Sequence, residues 1–564
     1  MVTLTRGTYA LSGTSLAFKT GTWRVERPVH KHWAAPCHAA CPAGEDAQAW
    51  IAKVQEKKLQ QAWEILVSAN PMPAVTGRVC PHPCEQGCNR GSYDQPIAIH
   101  NLERFLGDEA IRNNWAYPVP KKAKASAPTV AIVGAGPTGI SAAYHCIRLG
   151  LKPTIFEALP EAGGLLRSAI PMTRLPRDVL DAELERIFAL GIEFKPRHRL
   201  GRDINLEELR QDYDAVYLGP GCQRSKEWSV AGAVPGDLAD GLHLLKEWVD
   251  HGGVPNTKKV VIHGGGNTAM DIARVLKRHG AEEVHLVTAS GLPGPDTAPD
   301  DILNVVPREL EEGVEEGVIM HPHANLKRLL MRGSKLVGVE MVSLKKLPTA
   351  SGRKARVSFE GTERVLDADI VIPCIGEAVD PEGMERVLGG SNYFRPDDWG
   401  RLSGQDNLLA GGDARGDRGT VSAAVGDGRK AAIALAAKLI DGVEPEGAPR
   451  QPIDIASLNL NYFQKGTRAK APTLPVEERT DHAEIEGSLE WSQVSAEGER
   501  CFSCGNCLAC DNCWTYCPDN AVLKTADVAV DGSHYVFDYD FCKGCGLCAT
   551  ECPCGYIEMI GEPE

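Results

Sequence analysis

The sequence predicts a multidomain protein. Two α/β Rossmann-like dinucleotide-binding units fill the middle of the chain. An α-helical, cysteine-bearing region precedes them and a small α+β cysteine-rich unit follows. Three observations carry this. Two strand–glycine turn–helix–strand segments occupy the middle, "APTVAIVGAGPTGISAAYHCIRLGLKPTIFEA" and "KKVVIHGGGNTAMDIARVLKRHGAEEVHLVTAS". A doubled cysteine run lies at the C-terminal end. Five further cysteines flank amphipathic stretches between residues 37 and 88.

Length and composition bound the reading. A chain of 564 residues has room for several domains at about 100–200 residues each. With 43% hydrophobic and 24% charged residues, it should fold into ordinary cores. The net charge of −14 argues against nucleic acid, whose phosphates need basic surface. No apolar run reaches the roughly 18 residues of a membrane span. The opening "MVTLTRGTYALSGTSLAF" lacks a basic stretch followed by an apolar core, so no signal peptide is expected and a cytoplasmic location is. In that compartment, clustered cysteines read as metal ligands rather than disulfides.

The first cysteines are Cys37, Cys41, Cys80, Cys84 and Cys88, in "PCHAACPAGEDAQAW" and "GRVCPHPCEQGCNRG". Five is one more than a single cubane requires. Between them, "AQAWIAKVQEKKLQQAWEIL" places apolar residues at helical spacing, as a helix does when it packs on a core.

The first glycine turn is Gly134, Gly136 and Gly139, with Pro137 opening the helix. The first glycine permits the tight turn, the second lets a pyrophosphate approach the backbone, and the third allows close helix packing. The pyrophosphate would sit on the helix N-terminus. Glu157 ends the second strand, placed to accept from ribose hydroxyls. The second turn repeats the design with Gly264, Gly266 and Ala269, and Asn267 and Thr268 open its helix. Its second strand ends "HLVTAS", with neither an acidic residue nor an arginine. A third strand–turn–helix follows, Gly411-Gly412-Asp413 and then Thr420 before an apolar helix. By itself it is no more than a structural turn.

The chain's last cysteine-rich stretch settles its own register. One run reads Cys507-x2-Cys510-x2-Cys513-x3-Cys517-Pro518 and the other Cys542-x2-Cys545-x2-Cys548-x3-Cys552-Pro553. This is the bacterial two-cluster ferredoxin pattern, in which the fourth cysteine of each run ligates the other cluster. One cluster should take Cys507, Cys510, Cys513 and Cys552, and the other Cys542, Cys545, Cys548 and Cys517. The doubled spacing argues against zinc. Cys501 and Cys504 fall outside the register, and a slip to include them would lose both the x3 gap and the proline.

Taken together, "GRVCPHPCEQGC", "AIVGAGPTGISAAYH", "FEALPEAGGLLR", "IPMTRLPRDVLDAE", "GGGNTAMDIAR" and "AGGDARG" resemble the glutamate synthase small-subunit family, which includes the flavin half of dihydropyrimidine dehydrogenase. The resemblance covers nearly all of residues 30 to 470. It implies a helical iron–sulfur domain over 1–120 and an FAD domain over 121–255 and 400–450. An NAD(P)-binding domain over 256–399 would be inserted in the FAD domain. A linker over 451–495 and a ferredoxin-like unit over 496–564 complete the division. It also implies that the first fingerprint holds FAD, with Gly164 and Leu165 lining the flavin, Asp413 holding the ribityl chain and Thr420 near the isoalloxazine. The second fingerprint would bind the nicotinamide nucleotide.

Two departures from the family stand out. The family commonly begins Cys-x2-Cys-x4-Cys-x3-Cys-Pro. Here Cys37 and Cys41-Pro42 match the last two positions, while Val29 and His32 occupy the first two. One cluster is then expected on Cys41, Cys80, Cys84 and Cys88, with Cys37 a remnant. The competing view makes His32 a ligand, which still leaves that cluster short. Family members that use NADPH end the second strand with Tyr-Arg-Arg, whose guanidiniums clamp the 2′-phosphate. Here Thr288, Ala289 and Ser290 stand there, so NAD(H) is expected over NADP(H).

The cysteines left over are Cys37, Cys146, Cys222, Cys374, Cys501, Cys504 and Cys554, read as structural thiols. No catalytic acid–base pair is evident, and none is needed where cofactors carry the chemistry. The expectation is an electron-transferring subunit with FAD, NAD(H) and three [4Fe-4S] clusters. Its partner would be another oxidoreductase subunit, plausibly one acting on a 2-oxoacid. The alternatives are a glutamate synthase small subunit, fed by NAD(P)H, and a non-catalytic wire or scaffold.

Overall fold

The computed structural model describes residues 19–562 apart from 119–123, 125, 233–237, 239, 296, 349–353, 417–418, 445–446, 448 and 527–532, together with the backbone of Leu4–Arg6. Two parallel sheets form its centre. Parallel strands are covered on both faces, so they read as continuous apolar runs. "TVAIV", "AVYL" and "LLA" are such runs, and all but the first residue are buried. They belong to a five-stranded sheet in the order Leu408–Ala410, Ala215–Leu218, Thr129–Val133, Lys152–Phe156, Glu193–Lys195. The helices Pro137–Arg148 and Val421–Leu439 pack against one another; Gly428 permits this, since a Cβ there would lie 2.2 Å from the Thr138 carbonyl oxygen.

A second parallel sheet runs Val318–His321, Glu283–Val287, Lys259–His263, Ile370–Pro373. In sequence it falls wholly between two neighbouring strands of the first sheet, Ala215–Leu218 and Leu408–Ala410. The chain leaves and returns through a short antiparallel neck, Arg224–Ser225 against Glu377–Ala378. An antiparallel sheet of Ala324–Arg332, Lys335–Pro348, Lys354–Ser358 and Arg364–Asp367 flanks the second sheet.

Ahead of the sheets, helices Ala47–Gln55, Leu59–Leu66, Pro73–Val79 and Ile99–Arg112 enclose a core that includes Trp50, Leu66, Ile99 and Leu106. Residues from the far end of the chain complete this core, Leu489 and Val494 among them. The two ends of the chain also pair directly. Glu26–His30 runs antiparallel to Ile557–Gly561, with Val29 opposite Glu558.

The stretch expected as a linker, 451–495, is an ordered strap. Glu484 meets Arg78 at 2.7 Å, Arg479 meets Glu315 at 2.7 Å, and the Ile485 N–H donates to the Thr173 carbonyl at 3.0 Å. The strap closes over a buried ion-pair cluster. Arg274 reaches Glu312 and Glu316, each at 2.7 Å, and Glu309 as well. Arg174 reaches Asp271 at 2.8 Å and Glu309 at 2.9 Å. Arg479 adds Glu316 at 3.1 Å. The cluster thereby ties together the loop that carries Arg174, the helices Asn267–Arg278 and Pro307–Glu315 of the second unit, and the strap. Removing one partner strands buried charges. Arg274→Met is therefore expected to cost about 3–5 kcal/mol, read as a fall in the urea midpoint of unfolding.

Candidate functional site

A cavity of about 860 Å³ lies beyond the carboxyl ends of strands Thr129–Val133 and Lys152–Phe156. Of the candidate nucleotide-binding residues, Gly134, Gly136, Pro137, Glu157, Gly164, Leu165, Asp413 and Thr420 line it, and so do Asn267 and Thr268. Both glycine turns thus bring a helix N-terminus to one cavity. Gly139, Gly264, Gly266 and Gly412 stand behind or beside its wall.

The glycines have separate physical reasons. Gly134 sits at φ +100°, and a Cβ there would meet the Gly219 oxygen at 2.3 Å. A Cβ on Gly139 would lie 1.9 Å from the Gly134 oxygen, so the helix can touch the turn only as glycine. Gly136 differs: the nearest atom to its Cβ would be the Gly164 Cα at 4.0 Å, which leaves an open cradle above the helix. In the second turn a Cβ on Gly264 would lie 2.1 Å from the Cys374 oxygen, whereas one on Gly266 would meet nothing within 4 Å. The cradle recurs there, on a helix start that favours anions.

Glu157 is held rigid. Its two carboxylate oxygens accept from the N–H groups of Ala135 at 2.7 Å and Leu159 at 2.8 Å. Burial pushes the Asp413 carboxyl up to about 6, and Glu377 and Asp427 add to the effect. Gly412 packs on Thr138 and donates its N–H to Asp427 at 3.0 Å. At the end of the second unit's second strand, Thr288 is buried and Ser290 Oγ accepts from Arg356 Nη2 at 3.0 Å. Arg356 comes from a distant hairpin and was not foreseeable from the strand's own sequence.

The N-terminal cysteines form two groups rather than one. Burial raises the Cys41 thiol, and Glu45, Cys80 and Glu103 press on it electrostatically. Cys84 in turn senses Cys41 and Cys80. Glu103 is buried, accepting from Asn70 Nδ2 at 3.1 Å and facing His82 Nε2 at 2.9 Å. The expected fourth member, Cys88, is elsewhere. The helix Pro83–Gln86 ends before it, and Cys88 leaves in an extended conformation, φ −68° and ψ 120°. It packs against the same apolar cluster as Cys37 and Cys501, and the amide of Asn89 beside it points at Cys504 Sγ from 3.6 Å. The expected set joins Cys88 to Cys41, Cys80 and Cys84 and leaves Cys37 apart; the packing of Cys37 and Cys88 against one cluster favours a different grouping. His32 joins neither group, since its Nε2 faces the Tyr556 hydroxyl at 3.2 Å.

The first group adjoins the cavity. Val79 and Pro81, on either side of Cys80, line it. Cys80 Sγ lies 3.3 Å from Ser422 Oγ, two residues from Thr420.

Near the C-terminal end the cysteines converge in two crossed sets. Cys517, Cys542, Cys545 and Cys548 line one small cavity. Burial raises the Cys513 thiol, and Cys507, Cys510, Cys552 and Cys548 add to the effect. N–H groups point at the sulfurs, from Ala521 to Cys517 at 3.2 Å and from Tyr556 to Cys552 at 3.3 Å. Among the described residues no three His, Cys, Asp or Glu side chains close on a point as ligands of one metal ion do. The thiolates of a cubane stand farther apart, at its corners.

Comparison with known proteins agrees with this layout. Residues 29–115 match the family described as dihydropyrimidine dehydrogenase domain II, 4Fe-4S cluster, and residues 128–428 match pyridine nucleotide-disulphide oxidoreductase. The chain is 34% identical to the NADP(+)-dependent formate dehydrogenase subunit beta of Moorella thermoacetica, over 83% of this chain and 70% of that one. It is 33% identical to the NADPH-Fe(3+) oxidoreductase subunit beta of Geobacter sulfurreducens, over 87% and 78%. With the glutamate synthase [NADPH] small chain of Escherichia coli K12 it shares 32% identity, over 70% and 87%.

The glycine geometry makes a paired prediction. Gly136→Ala has room for its methyl but fills the cradle, so the protein should fold and lose bound flavin. Gly139→Ala has no room and should fail to yield folded protein. Flavin content and circular dichroism of the two variants check this.

Proposed function

The chain belongs to the pyridine nucleotide-disulphide oxidoreductase family, in its glutamate synthase small-subunit branch, and from that premise we propose that it passes electrons between NAD(H) and a partner oxidoreductase subunit. That it is an FAD-dependent NAD(P)H oxidoreductase follows from the family. The observation that carries the finer reading is the shared cavity: the first dinucleotide turn and the opening residues of the second unit's helix, Asn267 and Thr268, line it, as do Val79 and Pro81 on either side of Cys80. Bound FAD would supply the exchange between two-electron hydride chemistry and one-electron transfer. The protein's part is to hold it. Gly136 and the helix start would take the pyrophosphate, Glu157 the ribose, and Gly164, Leu165, Asp413 and Thr420 the flavin end. Asn267 and Thr268 would hold the nicotinamide nucleotide across the cavity.

Three [4Fe-4S] clusters belong to this reading. Two take the crossed C-terminal sets. The third takes Cys41, Cys80 and Cys84, with the buried carboxylates of Glu45 and Glu103 beside them as oxygen donors. The partner would be an oxidoreductase subunit, with one acting on a 2-oxoacid as the candidate and NAD+ then reduced. The relatives named above serve a formate dehydrogenase, an Fe(3+) oxidoreductase and a glutamate synthase, which supports one electron module working with several partners. No helix among the described residues is long and apolar enough to cross a membrane, and a cytoplasmic location is part of the proposal.

A second reading of the nucleotide has its own support. The relatives' names specify NADP(H), and Arg356 stands at Ser290 where a 2′-phosphate would fall. Its charge is already matched, however, since Arg356 Nη2 donates to Asp301 at 2.7 Å. NAD(H) therefore remains the first reading. Under anaerobic conditions NADH should bleach the flavin bands, with kcat/KM exceeding that for NADPH roughly tenfold or more, since a lost bidentate phosphate contact is worth about 1.4 kcal/mol or more. Preference for NADPH, abolished by Arg356→Ala, would instead establish the second reading. Flavin that no nicotinamide nucleotide bleaches would reduce the chain to a scaffold.

A further inference from the structure

We infer that Cys37, Cys88, Cys501 and Cys504 together hold a further [4Fe-4S] cluster, assembled from the two ends of the chain. The inference rests on the reading of the chain as a flavin and iron–sulfur electron carrier, and adds to it a site that links its two cysteine-bearing regions.

The four thiols pack together. Cys37, Cys88 and Cys501 lie against one apolar cluster, and Cys37 also lies against the neighbouring one that contains Cys504. All four are half-buried or buried. The group lies between two apolar clusters, one with Ala35, Leu458 and Phe502 and the other with Trp50 and Leu102. Four thiols packed together in such a shell, with no disulfide between them, match the number of ligands and the apolar surroundings that a [4Fe-4S] cluster takes.

The backbone around them is shaped for sulfur ligation. Cys501-x2-Cys504 repeats the spacing of the two neighbouring runs. Ser503 sits at φ +51° and Gly505 at φ +72°, so the loop curls as a cluster-wrapping loop does. Its curl is pinned from two sides. The Gly505 N–H donates to the Cys554 carbonyl at 2.7 Å, and a Cβ on Gly505 would lie 2.7 Å from the Trp33 Cβ. The amide of Asn89, next to Cys88, points at Cys504 Sγ from 3.6 Å. Arg90 then locks the two ends together, donating to the Arg500 carbonyl and, at 2.6 Å, to that of Gln464. These contacts hold Cys88 against a segment 410 positions away in sequence.

Position supplies the function. Cys80 is at the cavity edge, and Cys84 and Cys88 follow it on one short piece of chain. Cys504 stands beside Cys88 and, through Gly505, touches Cys554, whose Sγ is 3.7 Å from that of the cluster ligand Cys552. Without a carrier among Cys37, Cys88, Cys501 and Cys504, the inner and outer clusters would be separated by a gap of protein. With one, single electrons step from the cavity to the C-terminal pair and each cubane is reduced by one electron and reoxidised by one.

The test is metal content of the anaerobically purified full chain, wild type against Cys501→Ala/Cys504→Ala. The wild type should carry about sixteen irons, as four cubanes require, and the double variant about four fewer, with one reduced-cluster EPR signal lost and flavin content unchanged. About twelve irons in both would overturn the fourth cluster while leaving the proposed function standing. So would one zinc per wild-type chain that disappears in the variant. A wild type without iron would overturn both. Should the double variant not retain flavin, Cys37→Ser serves in its place, and the same loss of about four irons is expected.

Discussion

Backbone hydrogen bonds between Glu26–His30 and Ile557–Gly561 bring the two ends of the chain together, and much else depends on that join. It fixes the C-terminal cysteine unit to the helical region that opens the described chain. The strap over 451–495 reinforces it by contributing Leu489 and Val494 to the helical core. Only because the ends meet does the loop 501–505 reach Cys37 and Cys88. The same strand pairing draws Val29 and His32 away from the thiols, with Val29 opposite Glu558 and His32 against Tyr556. A chain whose ends were free would have two separate cysteine regions and a cavity connected to one of them.

A second constraint acts at the centre. The unit built on the second parallel sheet is inserted between two strands of the first and attached by a neck two residues wide on each side. Such a neck alone would let the units rock. The buried arginines Arg174, Arg274 and Arg479 hold the second unit to the first and to the strap through shared carboxylates. The two dinucleotide turns are thereby kept facing one cavity, as hydride transfer between two bound dinucleotides requires.

Much of this was legible in the sequence because it is written locally. Gly134, Gly136 and Gly139 lie within one turn, and each glycine answers to an atom that a Cβ would strike or to a space left open. The cysteine runs at 507–517 and 542–552 carry their own register through spacing and proline. What was not legible is set by distance along the chain. No spacing rule links Cys88 to Cys501, and nothing in "PCEQGC" says that the helix stops at Gln86 and sends Cys88 away from Cys84. Arg356 reaches Ser290 from another sheet, and Glu103 meets Cys41 from a different helix. The 451–495 stretch, low in regular structure, reads as a linker although Arg468, Arg479, Asp481, Glu484 and Glu486 are engaged in ion pairs.

We propose a continuous file of redox sites running from the shared cavity, through a carrier held by both ends of the chain, to the C-terminal pair. Anomalous diffraction from anaerobically grown crystals at the iron absorption edge tests it most directly. A cube-sized iron peak is expected within Cys37, Cys88, Cys501 and Cys504, between one beside Cys80 and two near the C-terminal end. Iron peaks at the other sites with none among those four thiols would contradict it.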